Sequence, residues 1–231
     1  MDIDTLKQRL GRPATRLVAG GFRPTEGVDE SWLGRVYLFA PDEDLPLDAA
    51  GQPMLPIAQF HLPSLIPPTP SLDGVRVLTL FMSRRFPEPF EPMGDNWLIR
   101  EYGEHDTLVR KALPVPDSPL KAFPVKPHPV ERDCPLWDGG GVPLELEREV
   151  LARMRAGEIE SYYDLTTHCY EHKFGGFPSF CQAGVEPQEG FEFVFQVSSD
   201  AKINLNVVDS GSLLFWRHPQ SGEWAFYYDF Y

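Results

Sequence analysis

The sequence is poor in cysteine, in positive charge and in long apolar runs, and each shortage removes a class of protein. Three cysteines, Cys134, Cys169 and Cys181, are too few and too odd in number for a secreted disulfide framework, so reduced thiols are expected. No apolar run approaches the ~20 residues of a membrane helix. The opening Met1-Asp2-Ile3-Asp4 is acidic where a signal peptide is basic. Both features set the expectation of a cytoplasmic protein with no membrane partner. With 21 basic against 34 acidic side chains the formal charge is −13, which repels the phosphates that supply most nucleic-acid affinity. Nucleic acid is therefore not an expected partner.

What is present argues for a folded, strand-rich chain. The 231 residues are 42% hydrophobic and 13% aromatic, enough to bury a sizeable core. The acidity is uneven, because residues 131–231 hold 7 basic against 17 acidic side chains and carry −10 of the −13. A surface of that sign speeds encounter with a basic protein, although net charge speaks to solubility before it speaks to partners.

The 24 prolines cluster at Pro53–Pro70, Pro87–Pro92 and Pro114–Pro143. Proline lacks an amide donor, so these clusters predict loops and crossings, with 112–143 the connection between two halves. Between them, β-branched and aromatic runs predict strands at 35–40, 75–82, 96–102, 191–197, 203–208, 212–217 and 224–228. A helix is expected from Pro143 to a stop at Gly157, with Leu146, Val150, Leu151 and Met154 on one face. A second is expected from a Ser161 cap to about Glu171, and a short one over 5–10 capped by Asp4.

The two ends of the chain share an order of features. Gly20-Gly21-Phe22 returns as Gly175-Gly176-Phe177, each with a proline close behind. Gln59 precedes Gly74, and Gln196 precedes Gly211, both by 15 residues, and each glycine launches a strand that ends in aromatics. An internal duplication follows. The expected architecture is α+β and mostly β, with duplicated mixed or antiparallel sheets packed as one compact domain with a few helices. Its halves, about 14–111 and 160–231, would be joined by a proline-rich and helical connection. Neither half buries both faces of its sheet alone, so the halves should pack against each other or interleave.

His172-Lys173-Phe174-Gly175-Gly176-Phe177-Pro178-Ser179-Phe180-Cys181-Gln182 resembles the signature of the YwqG-like family of uncharacterised bacterial proteins. Leu55 to Leu62, with Ala58-Gln59, and Asp209 to Trp216 resemble two further segments of that family, which prefers Gly where Ser210 stands. The resemblance implies a duplicated, mostly β fold and no assigned activity. Its relatives are similar to proteins found near bacterial contact-dependent toxin genes, which implies an immunity role. Gln59, His172, Gly175, Gly176, Gln182 and Gln196 are the binding residues it picks out.

Three readings of the chemistry stay open. The leading one is a non-enzymatic binding protein that captures a basic protein through an acidic, aromatic surface; no cofactor is required. The alternative is an enzyme using a zinc-like metal or a thiol, centred on His168 and His172 with Cys169 and Cys181, because two imidazoles four apart share a helix face. Against it, no general base follows His168 and no nucleophile signature surrounds either cysteine, so structural roles are favoured, His172 capping a helix end. Gly139-Gly140-Gly141 lacks the Lys-Ser/Thr of a phosphate loop and reads as a turn. The C-terminal aromatic run from Trp224 reads as a final core strand. The third reading is a small-ligand sensor with Gln59 and Gln196 at a pseudo-symmetric cleft.

Overall fold

The computed structural model describes residues 1–65 and 70–231. Pro67 and Pro68, in the first proline cluster, lie outside the described residues. The chain opens with α1 (Ile3–Leu10), capped by Asp2, whose carboxylate accepts from Thr5 N at 2.9 Å. The first half then supplies β1 (Arg12–Ala19), β2 (Ser31–Leu33), β3 (Leu38–Phe39), β4 (Leu55–His61), β5 (Val75–Met82), β6 (Trp97–Gly103) and β7 (Val109–Arg110). The second supplies β8 (Phe123–Asp133), α2 (Leu144–Ala156), β9 (Lys173–Gly175), β10 (Glu192–Ser198), β11 (Ser212–Arg217) and β12 (Trp224–Asp229). The α+β, mostly β architecture is as expected.

Ten strands form one antiparallel sheet in the order β12-β11-β10-β9-β1-β8-β2-β4-β5-β6, and β3 pairs with β7 separately. Read outward from the central β1/β8 pair, the order is the same on both sides: a first strand, then a four-stranded meander. Each half's first strand also borders the other half's meander, β1 against β9 and β8 against β2. The halves interleave by exchanging these strands.

The sheet curls until its two edge regions meet. Arg217 on β11 grips Glu101 on β6 at 2.8 and 3.0 Å, and the Trp224 indole on β12 donates to the same carboxylate at 2.6 Å. Inside the curl, Phe60, Phe174, Phe195 and Phe215 make a run of ring contacts with centroids 4.5–5.0 Å apart between successive members. Phe60 belongs to the first half and the other three to the second, so one core serves both. Ring pairs of this kind contribute about 0.5–1.5 kcal/mol each beyond area burial.

Five expectations need correction. The proline-rich connection contains β8, the strand that plays β1's part, so the second repeat begins near residue 123 and not 160. Prolines fit there because Pro127 and Pro129 oppose Leu17 and Thr15 at positions whose backbone groups point away from β1. On that far side β2 pairs only with residues 123–125, so no ladder bond is lost. The helix expected to run to Glu171 is a single 3-10 turn, Tyr162–Asp164, closed by a capping box with Ser161. Beyond it, Cys169 N donates to Asp133, and the Tyr170 and Glu171 carbonyls accept from Gln196, bonds that compete with helix formation.

Residues 203–208 do alternate, with Ile203, Leu205 and Val207 buried, yet they form a turn. Asp200 and Leu205 exchange two backbone bonds around left-handed Asn204. Of the strand expected at 35–40 only Leu38–Phe39 forms, as β3, and β2 (Ser31–Leu33) lies before it, across the turn that Gly34 makes at φ +72°. Finally, the structural counterpart of the Gly175 turn is this Gly34 turn and not Gly20-Gly21. Gly34 follows the three-residue β2, Gly175 ends the three-residue β9, and both turns are bound by the paired glutamines.

Candidate functional site

The site is built on β9 and the turn that follows it. Gly176 sits at φ +63°, and a Cβ there would lie 2.1 Å from the Asp133 carboxylate, so glycine lets the turn close over that acid. Closure brings Phe177 N to Asp133 Oδ2 at 2.8 Å. Asp133 and Lys173 are both 0% exposed. The Lys173 ammonium donates to Asp133 Oδ2 at 2.8 Å and to the Cys169 carbonyl at 2.6 Å. Burial pulls Lys173 below the ordinary lysine value, and Asp133 opposes the shift.

His168 packs against the same pair. Its Nδ1 lies 2.7 Å from the Cys134 carbonyl, which can only accept, so Nδ1 carries the proton. Nε2 then accepts from Ser179 Oγ at 2.7 Å. Burial first, and the Lys173 charge second, push the imidazole down to about 4, so it is neutral near pH 7. A Ser–His contact of this length resembles a nucleophile and its base, but so weak a base takes up a proton poorly.

His172 is held elsewhere. Ser198 N donates to its Nδ1 at 3.1 Å, which leaves Nε2 to donate to Asp200 at 3.2 Å. It neither caps a helix, since none ends there, nor shares a ligand set with His168. Among the described residues no group of three His, Cys, Asp or Glu side chains is placed to hold a metal. Burial raises the thiols of Cys134 and Cys181 and pushes Cys169 up to about 12, so none is primed as a thiolate. The geometry does not assemble the expected metal or thiol centre.

The paired glutamines occupy equivalent places. Gln59 accepts from Leu38 N at 2.9 Å and donates to Glu30 O at 3.1 Å; Gln196 accepts from Ser179 N at 3.0 Å and donates to Glu171 O at 3.0 Å. Glu30 and Glu171 each stand four residues before the turn glycine, and Leu38 and Ser179 four residues after it. Both amides are buried, at 1% and 0% exposure, and bond to the backbone of their own turns, so they brace those turns and do not face a shared cleft. Gln182 is exposed, with its backbone N–H on Asp229 at 3.1 Å and its side chain on the Phe230 carbonyl at 3.3 Å.

Two openings lie along residues 170–181, and the Gly175-Gly176 turn lines the first of them. One is a groove of about 950 Å³ lined by that turn, by Gly139–Gly141 and by residues 185–193. Glu186, Glu189 and Glu192 are exposed along it, while Phe177, Phe193 and Trp216 line its apolar part. The Arg12 guanidinium lies over the Phe177 ring at 4.1 Å and donates to the Gly176 carbonyl at 2.5 Å. The other is a cleft of about 690 Å³ beside His172. The acid trio, Lys173, Asp133 and Ser179 escaped sequence reasoning: their partners lie far away in the chain, and only the Gly-Gly turn marked the neighbourhood. No family model matches the chain, and no curated protein matches it either. No helix among the described residues is long and apolar enough to cross a membrane.

Proposed function

We propose that this is a non-catalytic binding protein that captures a basic protein segment in the glutamate-rimmed groove. The observation that carries the reading is the combination of three exposed glutamates with an aromatic floor on which Arg12 already seats a guanidinium. Cation–π contact with flanking carboxylates is how a folded surface receives arginine or lysine. The −10 charge of residues 131–231 adds long-range attraction for a basic partner and repels nucleic acid. An immunity-type role in the bacterial cytoplasm, in a YwqG-like protein, is the setting in which such capture makes sense. The three free thiols suit a reducing compartment. The buried, internally satisfied His168, Cys169 and Lys173 then act as the rigid support of the groove.

The test is calorimetric titration with an arginine-rich peptide and an acidic peptide of equal length. Only the basic peptide should bind, with affinity falling as salt rises. The variant Glu186→Gln/Glu189→Gln/Glu192→Gln, which touches only exposed side chains, should weaken binding at least about tenfold. Equal affinity of the variant and the wild type would sink the proposal.

A further inference from the structure

The second opening differs in character from the groove. The cleft of about 690 Å³ beside His172 falls in the size range of small-molecule sites. Its lining carries Arg16 and Lys202 against Glu171 and Asp200, so its formal charge sums to zero in a chain of −13. Those charges are already engaged: Arg16 pairs with Glu171 at 3.3 Å, Asp200 takes the His172 imidazole at 3.2 Å, and Lys202 donates to the Ala19 carbonyl at 2.6 Å. A charged ligand would have to break one of these contacts or sit beside a like charge. An uncharged polar ligand need do neither.

Hydroxyls dominate what remains. Ser199 donates inward to the Gly211 carbonyl and accepts from Val207 N, whereas Ser212 donates to the Ser198 hydroxyl and keeps its oxygen lone pairs as acceptors for ligand hydroxyls. Tyr170 and Ser210 carry hydroxyls with no hydrogen bond to another described residue. Tyr170 and Tyr231, 52% and 72% exposed, stand on the lining, the Tyr170 ring resting against His168 at 4.6 Å. Aromatic faces are electron-rich and attract the C–H face of a pyranose, while its equatorial hydroxyls both donate and accept. Ser210 on the lining holds a left-handed φ of +56°, as does Val208 two residues before it at +53°, a conformation that a β-branched residue rarely adopts.

We propose that this cleft is a second binding site, for a short neutral saccharide, stacked against Tyr170 or Tyr231 and hydrogen-bonded to Ser210, Ser212 and Asp200. The site is separate from the glutamate groove, so either proposal can fail alone.

The test is thermal-shift and saturation-transfer titration of the intact chain with glucose, galactose, mannose, N-acetylglucosamine, maltose and cellobiose, and with glycine, lysine and glutamate as charged comparators. At least one sugar should raise Tm saturably. Tyr231→Ala should weaken that sugar about tenfold while the ligand-free Tm stays unchanged, and Tyr170→Ala, whose ring also rests on His168 at 4.6 Å, should weaken it by a similar factor. The proposal is overturned if no sugar in the panel shifts the protein, if only the charged compounds do, or if both variants bind like the wild type.

Discussion

The two halves use one strand plan for different ends. In the first, the turn glycine Gly34 packs against the Lys121 backbone, and Trp32 and Tyr37 meet edge to face at 5.0 Å beside it. In the second, the position of Trp32 is taken by Lys173, and the turn closes over a buried ion pair ringed by His168 and Ser179. An equivalent glutamine braces each turn, but of the two turns only the second lines the groove. The two turns share the bracing glutamine, but only the second buries polar, costly side chains beneath it.

The contrast can be broken first at the ion pair. Asp133→Ala leaves Lys173 charged, buried and unpaired, and should cost about 3–5 kcal/mol in urea unfolding. Lys173→Met should cost less, because Asp133 keeps the Cys169 and Phe177 amides. Equal costs would mean the pair itself is not what the second turn depends on.

His168 provides the next effect. Its imidazole titrates near 6.5 when unfolded and near 4 when folded, so the unfolded chain takes up the proton first. Stability is full above about pH 6.5 and falls by about 3 kcal/mol as pH drops towards 4, at roughly 1.4 kcal/mol per unit. In a pH series of denaturant midpoints, His168→Gln should flatten that stretch. An unchanged slope would show that other groups set it.

The glutamines sharpen the equivalence. Gln59→Leu and Gln196→Leu each strand buried backbone groups and should each cost about 2–3 kcal/mol in the same assay. A neutral result at either one breaks the symmetry. Smallest is the polar turn before β5 and β11, where the left-handed residue is Gly74 in one half and Ser210 in the other. Ser210→Gly should stabilise by about 0.5–1 kcal/mol, and Gly74→Ala should destabilise by a similar amount. Gly211 beside it cannot change, since a Cβ would lie 1.9 Å from the Asp229 carbonyl.

Much of this was legible in the chain. β5 and β11 have the expected limits, and α2 stops at a left-handed Gly157 as its sequence demands. The glutamine-to-glycine spacing located the repeat because it lies within a hairpin and needs no knowledge of the rest. The alignment of the Gly-Gly turns misled, since Gly20-Gly21 falls just after β1 whereas Gly175-Gly176 follows β9. β8 was hidden by its prolines, which a strand tolerates only where one side is unpaired. The site was the least legible part. Asp133 and Lys173 are 40 residues apart, and no local pattern reveals that one buried charge will find the other.

The central claim, that the second turn and its groove receive a basic partner while the first turn is scaffold, is tested most directly by amide chemical-shift mapping with an arginine-rich peptide. The account predicts saturable perturbations confined to 139–141, 175–178 and 185–193, with the Gly34–Leu38 turn silent. Perturbations centred on the first turn, or none that saturate, would contradict it.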